Sequence, residues 1–409
     1  MSSTVSAEPQ SREGQAEGGS LGRPLLAIFL TIFVNLIGFG IIIPLLPFYA
    51  ESLGASDLTV GLLFASYSVC QLVAAPVLGV LSDRYGRRPI LLYSLLGTVV
   101  SFALLAIAQS LPLFFLARII DGLSGGNIST ARAYIADVTT PENRARGFGI
   151  IGASFGLGFI LGPALGGFLA RWGYSTPAWV AASLALAASG LAWFWLPETA
   201  HRTPAGRGNP IAELPELVAR PSLGQLLGTD FLFWACFAVY QTTFALFVAH
   251  RFGFDVSATG QLLAMMGIVG VIVQLRLVGP VVKRLGERRT LMLGLVLSGI
   301  GLGVVSQIHQ VVLLIATLVP TGIGMGLSHP SLSSLLSRSV GADEQGRLQG
   351  VSGSLESLGR TLGPIWGNGL LGALGEGAAY GSAALVLVLV GLSLTRFKPQ
   401  PASDQVAAT

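Results

Sequence analysis

The strongest constraint on this chain is the length of its uncharged apolar runs. Only 11% of its 409 residues are Asp, Glu, Lys or Arg, against about 25% in soluble proteins. About 20 residues of helix cross the hydrocarbon core of a bilayer, and each uncharged run is about that long or longer. These runs cover residues 24–50, 58–82, 89–117, 147–170, 172–197, 231–249, 256–275, 290–337 and 377–395. Their extent excludes a soluble enzyme, a coiled coil and a disordered chain.

The runs predict an all-α membrane protein with twelve transmembrane spans. The longest run, 290–337, is divided by a polar break at 306–310, and two further helices contain charges. The runs are continuous rather than alternating, which excludes a transmembrane β-barrel. The predicted spans, numbered 1 to 12, are 25–49, 57–80, 90–109, 112–135, 147–171, 176–196, 231–250, 256–281, 289–308, 311–336, 347–373 and 377–395.

The distribution of Arg and Lys predicts the orientation of the chain. With a cytoplasmic N-terminus, 18 of the 24 basic residues fall in the tails and cytoplasmic loops, and only Arg171 and Arg251 fall outside. By the positive-inside rule both termini are therefore cytoplasmic, in an inner (plasma) membrane. Basic residues scattered in this way indicate topology rather than nucleic-acid binding, so we expect no nucleic-acid partner.

The chain contains an internal duplication. Residues 79–89 reappear as residues 279–289, and Gly152-x9-Gly162-Pro163 reappears as Gly353-x9-Gly363-Pro364. Parallel repeats of six spans build one large transporter fold, whose ligand site lies between the halves at mid-membrane. The predicted parts are a disordered cytoplasmic tail (1–24), two six-helix bundles (25–196 and 231–396), a cytoplasmic linker (197–230) containing a short amphipathic helix at 211–220, and a second tail (397–409).

The segment Gly79-x-Leu-x-Asp83-Arg84-x-Gly86-Arg87-Arg88 resembles the signature of the major facilitator superfamily, and the chain resembles that family from 25 to 396. We interpret this segment as a latch that closes the cytoplasmic side. Asp83 would cap span 11 near Arg347, while Arg87 and Arg88 would pair with Asp137 and Glu142. The alternative is that these arginines only satisfy the positive-inside rule.

Two charged pairs lie inside predicted spans. Arg118 and Asp121 share one face of span 4, and charge at that depth indicates function by default. The segment around them resembles a motif of proton-coupled drug exporters, which implies that Asp121 carries a proton and Arg118 tunes it. A self-neutralising structural pair is the alternative. Glu356 and Arg360 in span 11 form either a static ion pair or a second proton site.

Span 5 combines small residues with a Gly-Pro step, as in the superfamily's antiporter motif, and this resemblance favours export over uptake. Its residues are Gly152, Gly156, Gly158, Gly162, Pro163, Gly166 and Gly167. Such glycine faces permit close helix approach.

Span 1 resembles the first helix of tetracycline and multidrug exporters. Related tetracycline exporters have an acid where Asn35 stands; asparagine can bind substrate but cannot carry a proton, so the proton role falls to Asp121. The resemblance places spans 1, 4, 7 and 10 around a cavity. The predicted cavity residues are Asn35, Phe39, Tyr240, Gln241 and Phe244.

The sequence therefore predicts a monomeric, non-enzymatic secondary transporter in the lipid bilayer that exports amphiphilic drug-like molecules in exchange for protons. We expect no metal and no cofactor, with the proton gradient as the energy source, because neither a cysteine motif nor a phosphate loop is present. A proton-coupled uptake symporter for a metabolite and a non-transporting membrane sensor are the alternatives.

Overall fold

The computed structural model describes residues 22–125, 127–139, 141–199, 210–341 and 344–397, and every regular element within these ranges is helical. A π-helical turn at Val273–Leu277 joins two of the helices. The helices are α1 (Gly22–Ser52), α2 (Asp57–Tyr85), α3 (Arg87–Ala106), α4 (Leu111–Leu123), α5 (Asn127–Val138), α6 (Pro141–Leu169), α7 (Ser175–Trp195), α8 (Pro210–Ala219), α9 (Pro221–Phe252), α10 (Val256–Ile272), α11 (Val278–Leu285), α12 (Glu287–Val305), α13 (Val311–Arg338), α14 (Gln345–Leu374) and α15 (Glu376–Ser393).

The helices confirm the all-α multi-pass architecture of twelve spans in two bundles. Within the described ranges, ten helical segments are long and apolar enough to cross a membrane. The other two spans are the charged ones: span 4, which is α4 followed by α5, and span 11, which is α14. Span 8 comprises α10, the π-helical turn and α11. Of the two predicted tails, residues 1–21 and 398–409 lie outside the described ranges.

The predicted start of span 7 differs from the structure by more than any other boundary. Span 7 is α9, which begins at Pro221 rather than at residue 231. The first residues of α9 are polar and therefore resemble a linker in the sequence. Leu223, Leu226 and Leu227 are nevertheless fully buried and pack this part of the helix against the bundle. The amphipathic linker helix predicted at 211–220 agrees with α8, Pro210–Ala219.

Span 4 is interrupted, although the sequence predicted one continuous helix over 112–135. The α4 helix ends at Leu123 and α5 begins at Asn127. The intervening Ser124-Gly125-Gly126 is a poor helix former, because glycine costs about 1 kcal/mol per residue relative to alanine. The side chain of Gln71 in α2 donates a hydrogen bond to the Gly125 carbonyl oxygen at 3.2 Å. The interruption is thus held from a neighbouring helix.

The duplication is visible in the backbone. Gly86 and Gly286 end equivalent helices with φ of +111° and +76°, a region that glycine adopts without steric cost. Their N–H groups donate to the carbonyl oxygens of Ser82 and Val282 respectively. Each half therefore makes the same tight turn between its second and third spans.

Within each half, glycines four residues apart bring two helices close together. A Cβ on Gly162 of α6 would lie 2.5 Å from the Cα of Gly40 in α1, and a Cβ on Gly363 of α14 would lie 2.4 Å from the Ala235 carbonyl oxygen in α9. The same relation holds one turn before and one turn after, at Gly158, Gly166, Gly359 and Gly367.

The buried cores show where the two halves meet. One cluster lies in the second half and includes Leu217 of the linker helix α8, and a second lies in the first half beside the start of α1 and the end of α7. A third cluster joins Val60 and Leu63 of the first half to Leu246 and Leu371 of the second. This shared core lies near the end of α1, at the face opposite the chain termini. We call that face the loop face, and the halves are closed against each other there.

Two equivalent seams carry this closure. A Cβ on Gly61 of α2 would lie 2.5 Å from the Pro364 carbonyl oxygen of α14, and a Cβ on Gly260 of α10 would lie 2.4 Å from the Pro163 carbonyl oxygen of α6. Backbone carbonyls of one half thus rest on glycines of the other half at both sides of the molecule.

The seams predict that Gly61→Ala and Gly260→Ala open the loop face. Overpacking costs about 1–3 kcal/mol, which corresponds to a change of about 5- to 150-fold in the ratio of closed to open molecules. Spin labels are attached at Gln109→Cys and Gln310→Cys, in exposed loops of the two halves. Double electron–electron resonance should then report a longer distance between the two labels in the seam variants. Cys70 and Cys236 are replaced by serine in this background.

The matched control is Gly190→Ala, because a Cβ at Gly190 meets no atom within 4 Å. An unchanged distance distribution in both seam variants, with the control also unchanged, would contradict the role of the glycines in closure.

Candidate functional site

Arg118 and Asp121 form a buried ion pair in α4. Their relative exposures are 3% and 4%, and Arg118 Nη1 lies 3.1 Å from Asp121 Oδ2. The Thr98 hydroxyl of α3 donates to Asp121 Oδ1 at 3.1 Å. The pair predicted from sequence spacing therefore exists, and its carboxylate is held from two helices.

An aromatic side chain covers the guanidinium of this pair. The Tyr67 ring of α2 lies 4.5 Å from Arg118 Cζ, a cation–π distance. Gln71 Nε2 donates to the Tyr67 hydroxyl at 3.0 Å, and the Phe39 ring of α1 lies 6.0 Å from the Tyr67 ring. The sequence analysis missed Tyr67, Gln71 and Thr98. Tyr67 and Gln71 carried a usable signal, since they are polar residues one turn apart in an apolar span.

The interruption of span 4 adjoins the same site. Gln71 bonds both Tyr67 and the Gly125 carbonyl oxygen, and Gly125 follows Asp121 by one helical turn. Interrupted helices line binding sites in many transporters, because the break leaves backbone polar groups at membrane depth. The ion pair, the aromatic cover and the break therefore form one connected unit.

The second half contains a buried acid that the sequence analysis missed. Asp230 in α9 is 2% exposed and accepts a hydrogen bond from the Ser352 hydroxyl of α14 at 2.5 Å. The sequence predicts Asp230 as the last residue of the linker, because it directly precedes an uncharged run. Glu356 lies one turn beyond Ser352 and interacts electrostatically with Asp230.

The predicted Glu356–Arg360 pair is loose. Arg360 Nη1 lies 4.0 Å from Glu356 Oε2, and Arg360 Nη2 donates to the Ser357 hydroxyl at 3.3 Å. The Arg360 guanidinium also stacks on the Trp234 ring at 5.0 Å. The contact is longer than in a tight static ion pair, so the Glu356 carboxylate can still bind another partner.

The two halves consequently differ in charge. The first-half site has one acid and one arginine, whereas Asp230 and Glu356 both lie near the guanidinium of Arg360. His329 of α13 also interacts electrostatically with Glu356. Arg360 also acts electrostatically on Tyr67 of the first half. The two charged sites therefore face the same central region.

The predicted cavity residues occupy different environments. Asn35 is buried at 6% exposure, and its Oδ1 receives no hydrogen bond from the part of the chain that the structure describes. Phe39 adjoins Tyr67, as stated above, and Gln241 is half-buried. The Tyr240 and Phe244 rings contact each other in a tilted arrangement, with centroids 5.3 Å apart, within the core of the second half. In this arrangement those two rings pack inside their bundle, and their assignment to a cavity stays a prediction.

The residues of the predicted antiporter motif face two helices. Gly158, Gly162 and Gly166 adjoin α1, as described for the fold. Gly152, Gly156 and Gly167 face span 8: their Cβ atoms would meet Gln274, Val271 and the Val256 carbonyl oxygen at 3.9, 2.9 and 2.8 Å. With Pro163 on the seam to Gly260, the motif lies at the junction between the halves.

Part of the predicted latch is present within the first half. Arg87 pairs with Asp83 and, through Nε at 2.9 Å, with Asp137. Arg88 differs from the prediction: its guanidinium donates to the Trp193 carbonyl oxygen at the end of α7 and stacks on the Trp193 ring at 5.4 Å. The side chain of Glu142 lies outside the described residues. Two remaining members of the predicted latch are Gly79, inside α2, and Arg84, beside the Tyr85 ring.

Arg347 bonds Glu216 of the linker helix α8, whereas the sequence predicted it beside Asp83. A second pair, Arg220 with Glu344, is bidentate at 2.8 and 2.9 Å. The bonds from Arg220 hold the pKa of Glu344 below its usual range. These bonds fasten the linker to the start of α14, which explains why Arg347 points toward its own half.

Comparisons with known proteins agree with this architecture. The family profile of the major facilitator superfamily matches residues 28–278 and 275–409. The chain is 35% identical over 347 residues to the tetracycline resistance protein, class G, of Vibrio anguillarum, covering 82% of this chain and 87% of the relative. It is 31% identical over 393 residues to multidrug resistance protein 2 of Bacillus subtilis (strain 168), covering 93% and 96%.

A solved structure shares the fold. The crystal structure of the human organic anion transporter MFSD10 (TETRAN) matches with a TM-score of 0.70 and 25% identity, covering 92% of this chain and 99% of that one. Three observations lead to one conclusion: the two duplicated halves of six spans, the match of the family profile to nearly the whole chain, and these relatives. The chain belongs to the major facilitator superfamily.

Proposed function

We propose that this protein is a transporter of the inner membrane that exports amphiphilic drug-like molecules in exchange for protons. Relatives named as tetracycline and multidrug resistance proteins support this proposal over most of their length. The observation that carries it is the buried pair of Arg118 and Asp121. A buried charged pair is costly in a membrane protein and is retained where it serves transport.

The pair can couple proton and substrate through the cost of buried charge. With Asp121 ionised, the guanidinium of Arg118 is neutralised at 3.1 Å. A proton on Asp121 leaves Arg118 as an uncompensated buried charge, which destabilises the arrangement. The release of Arg118 toward the centre of the molecule then alters the binding of substrate beside Tyr67 and Phe39. Proton and substrate thereby favour different arrangements of one site.

We infer from the closed loop face that this structure represents one step of alternating access. If the termini are cytoplasmic, as the positive-inside rule predicts, the loop face is extracellular and this arrangement is the inward-facing one. Substrate would enter from the cytoplasmic side and leave after the seams open. For an uncharged substrate, each proton returning inward contributes about 2.3 kcal/mol per 100 mV, which at 100 mV is enough for roughly fifty-fold accumulation at 1.4 kcal/mol per tenfold.

The latch residues complete this cycle. In the inward-facing arrangement Asp83 bonds Arg87 and Arg347 bonds Glu216, each pair within its own half or its linker. We infer that Asp83 turns to the positive N-terminal end of α14 when the cytoplasmic side closes. The exchange of partners keeps the charges compensated in both states. One chain contains both halves, which supports a monomer as the working unit, and we propose the proton gradient, with no cofactor, as its energy source.

The first test is Asp121→Asn in everted membrane vesicles with an acidic lumen. Addition of a tetracycline or a cationic dye should raise the lumenal pH for the wild type, and the variant should lose this exchange because asparagine cannot carry a proton. The matched control is Asp255→Asn, a loop residue that caps α10 by accepting from the Ala258 N–H, since asparagine caps helices equally well.

Undiminished exchange by Asp121→Asn would remove Asp121 from the mechanism. Uptake of a metabolite together with protons, and no response to any drug, would instead favour the symporter.

A second test separates the two charged sites. We expect Asp230→Asn to lower the number of protons that purified protein releases when substrate binds, because the excess acid of the second half is removed. Ser352→Ala is the matched control: it deletes the hydrogen bond to Asp230 but keeps the carboxylate, and should keep most of the release. Equal release by wild type and Asp230→Asn, measured in weakly buffered solution, would assign Asp230 a structural role.

A third test concerns the latch. Asp83→Asn should slow turnover by about 5- to 150-fold, the range of a conformational coupling of 1–3 kcal/mol, with little change in substrate affinity. Transport rate in vesicles and equilibrium binding to purified protein measure the two quantities separately. Weakened binding with a normal rate would contradict the latch.

A further inference from the structure

Three potential metal ligands converge at the loop face. Glu51 lies near the end of α1, Asp57 begins α2, and His250 lies near the end of α9. Their ligand atoms all lie within 4.8 Å of one another, and His250 Nε2 is 3.1 Å from Glu51 Oε1. The sequence analysis predicted no metal site, because these residues are separated along the chain and form no spacing motif.

The three residues come from different halves of the transporter. Glu51 and Asp57 belong to the first half, and His250 belongs to the second. Asp57 also adjoins α14, since a Cβ on Gly372 would lie 3.3 Å from Asp57 Oδ2. The cluster is therefore assembled by the same closure that brings Gly61 against Pro364, and opening the loop face separates His250 from the two carboxylates.

We propose that Glu51, Asp57 and His250 bind a divalent transition metal, with Zn²⁺ as the probe, and that the bound metal holds the loop face closed. The imidazole nitrogen of histidine and the carboxylate oxygens of Asp and Glu are all zinc ligands, and three protein ligands leave a fourth position for water. Two carboxylates also neutralise the charge of the ion.

The geometry requires only small side-chain movements. Zinc–ligand distances of 2.0–2.2 Å place tetrahedral ligand atoms about 3.3 Å apart, so atoms within 4.8 Å must approach by up to about 1.5 Å. The His250 side chain is 42% exposed and that of Glu51 is 30% exposed. Both side chains therefore have space in which to rotate toward an ion.

Metal binding is linked to conformation. A ligand that binds one state better shifts the population toward that state, so zinc favours the closed loop face. The neighbouring charges are Glu51 and Asp57 on the first half, and Arg251, whose guanidinium pairs with Glu376 of α15 at 2.6 Å. Arg251 therefore lies beside His250 with its charge directed to another acid.

Direct binding is the first test, and it does not depend on the transported substrate. Full-length protein without a histidine tag, in lipid nanodiscs, is titrated with zinc chloride by calorimetry. The wild type should bind one zinc ion that His250→Ala and Glu51→Gln lose. His309→Ala is the matched control, because His309 is an exposed histidine in the loop before α13 on the same face. Equal zinc binding by wild type and His250→Ala would overturn the site.

Conformation is the second test. With spin labels at Gln109→Cys and Gln310→Cys, zinc should narrow the distance distribution to its closed component, and His250→Ala should abolish the effect. Zinc binding without this narrowing would overturn the proposed locking of the loop face.

Inhibition of transport by zinc, absent in His250→Ala, rests additionally on the proposed function. Zinc binding by a protein that exchanges no drug for protons would contradict that function while supporting the metal site. Drug exchange by a protein that binds no zinc at His250 would support the proposed function and contradict the metal site.

Discussion

The closed arrangement depends on contacts between backbone carbonyls and glycines at two seams. The carbonyls of Pro163 and Pro364 rest on Gly260 and Gly61, where a Cβ would lie 2.4 and 2.5 Å from the oxygen. Between transmembrane helices there is little hydrophobic driving force, and association relies on close packing. Seams of this kind hold the halves together only while the fit is complete. They can therefore separate as units when a ligand or proton biases the equilibrium.

The remaining polar features are arranged around these seams. The cluster of Glu51, Asp57 and His250 lies at the loop face, beyond the shared hydrophobic core. The ion pair of Arg118 and Asp121 lies within the first bundle, where the closure does not interrupt it. The switch between states thus changes the contacts between halves and preserves the internal packing of each half. A rigid-body motion is the expected consequence, because each bundle has its own glycine-packed helix pair.

The sequence predicted those features that depend on residues close together in the chain. Apolar run length predicted the spans, and a spacing of three residues placed Arg118 and Asp121 on one face. Long-range pairing could not be predicted from the sequence: the Ser352 bond to Asp230 joins residues 122 positions apart, and the bond from Arg347 to Glu216 of the linker helix joins residues 131 positions apart. The break in span 4 was also missed, because glycines occur in intact membrane helices and only the Gln71 bond to Gly125 identifies this one as held open.

The charge difference between the halves bears on how coupling is divided. Arg118 and Asp121 compensate each other, but Asp230 and Glu356 share the loosely held Arg360. An uncompensated carboxylate inside a membrane is expensive, so the second half favours an added positive charge. A proton and a cationic substrate both satisfy that requirement, and only one of them is needed at a time. We propose that the proton and the substrate compete for the second half, and that this competition gives exchange rather than co-transport.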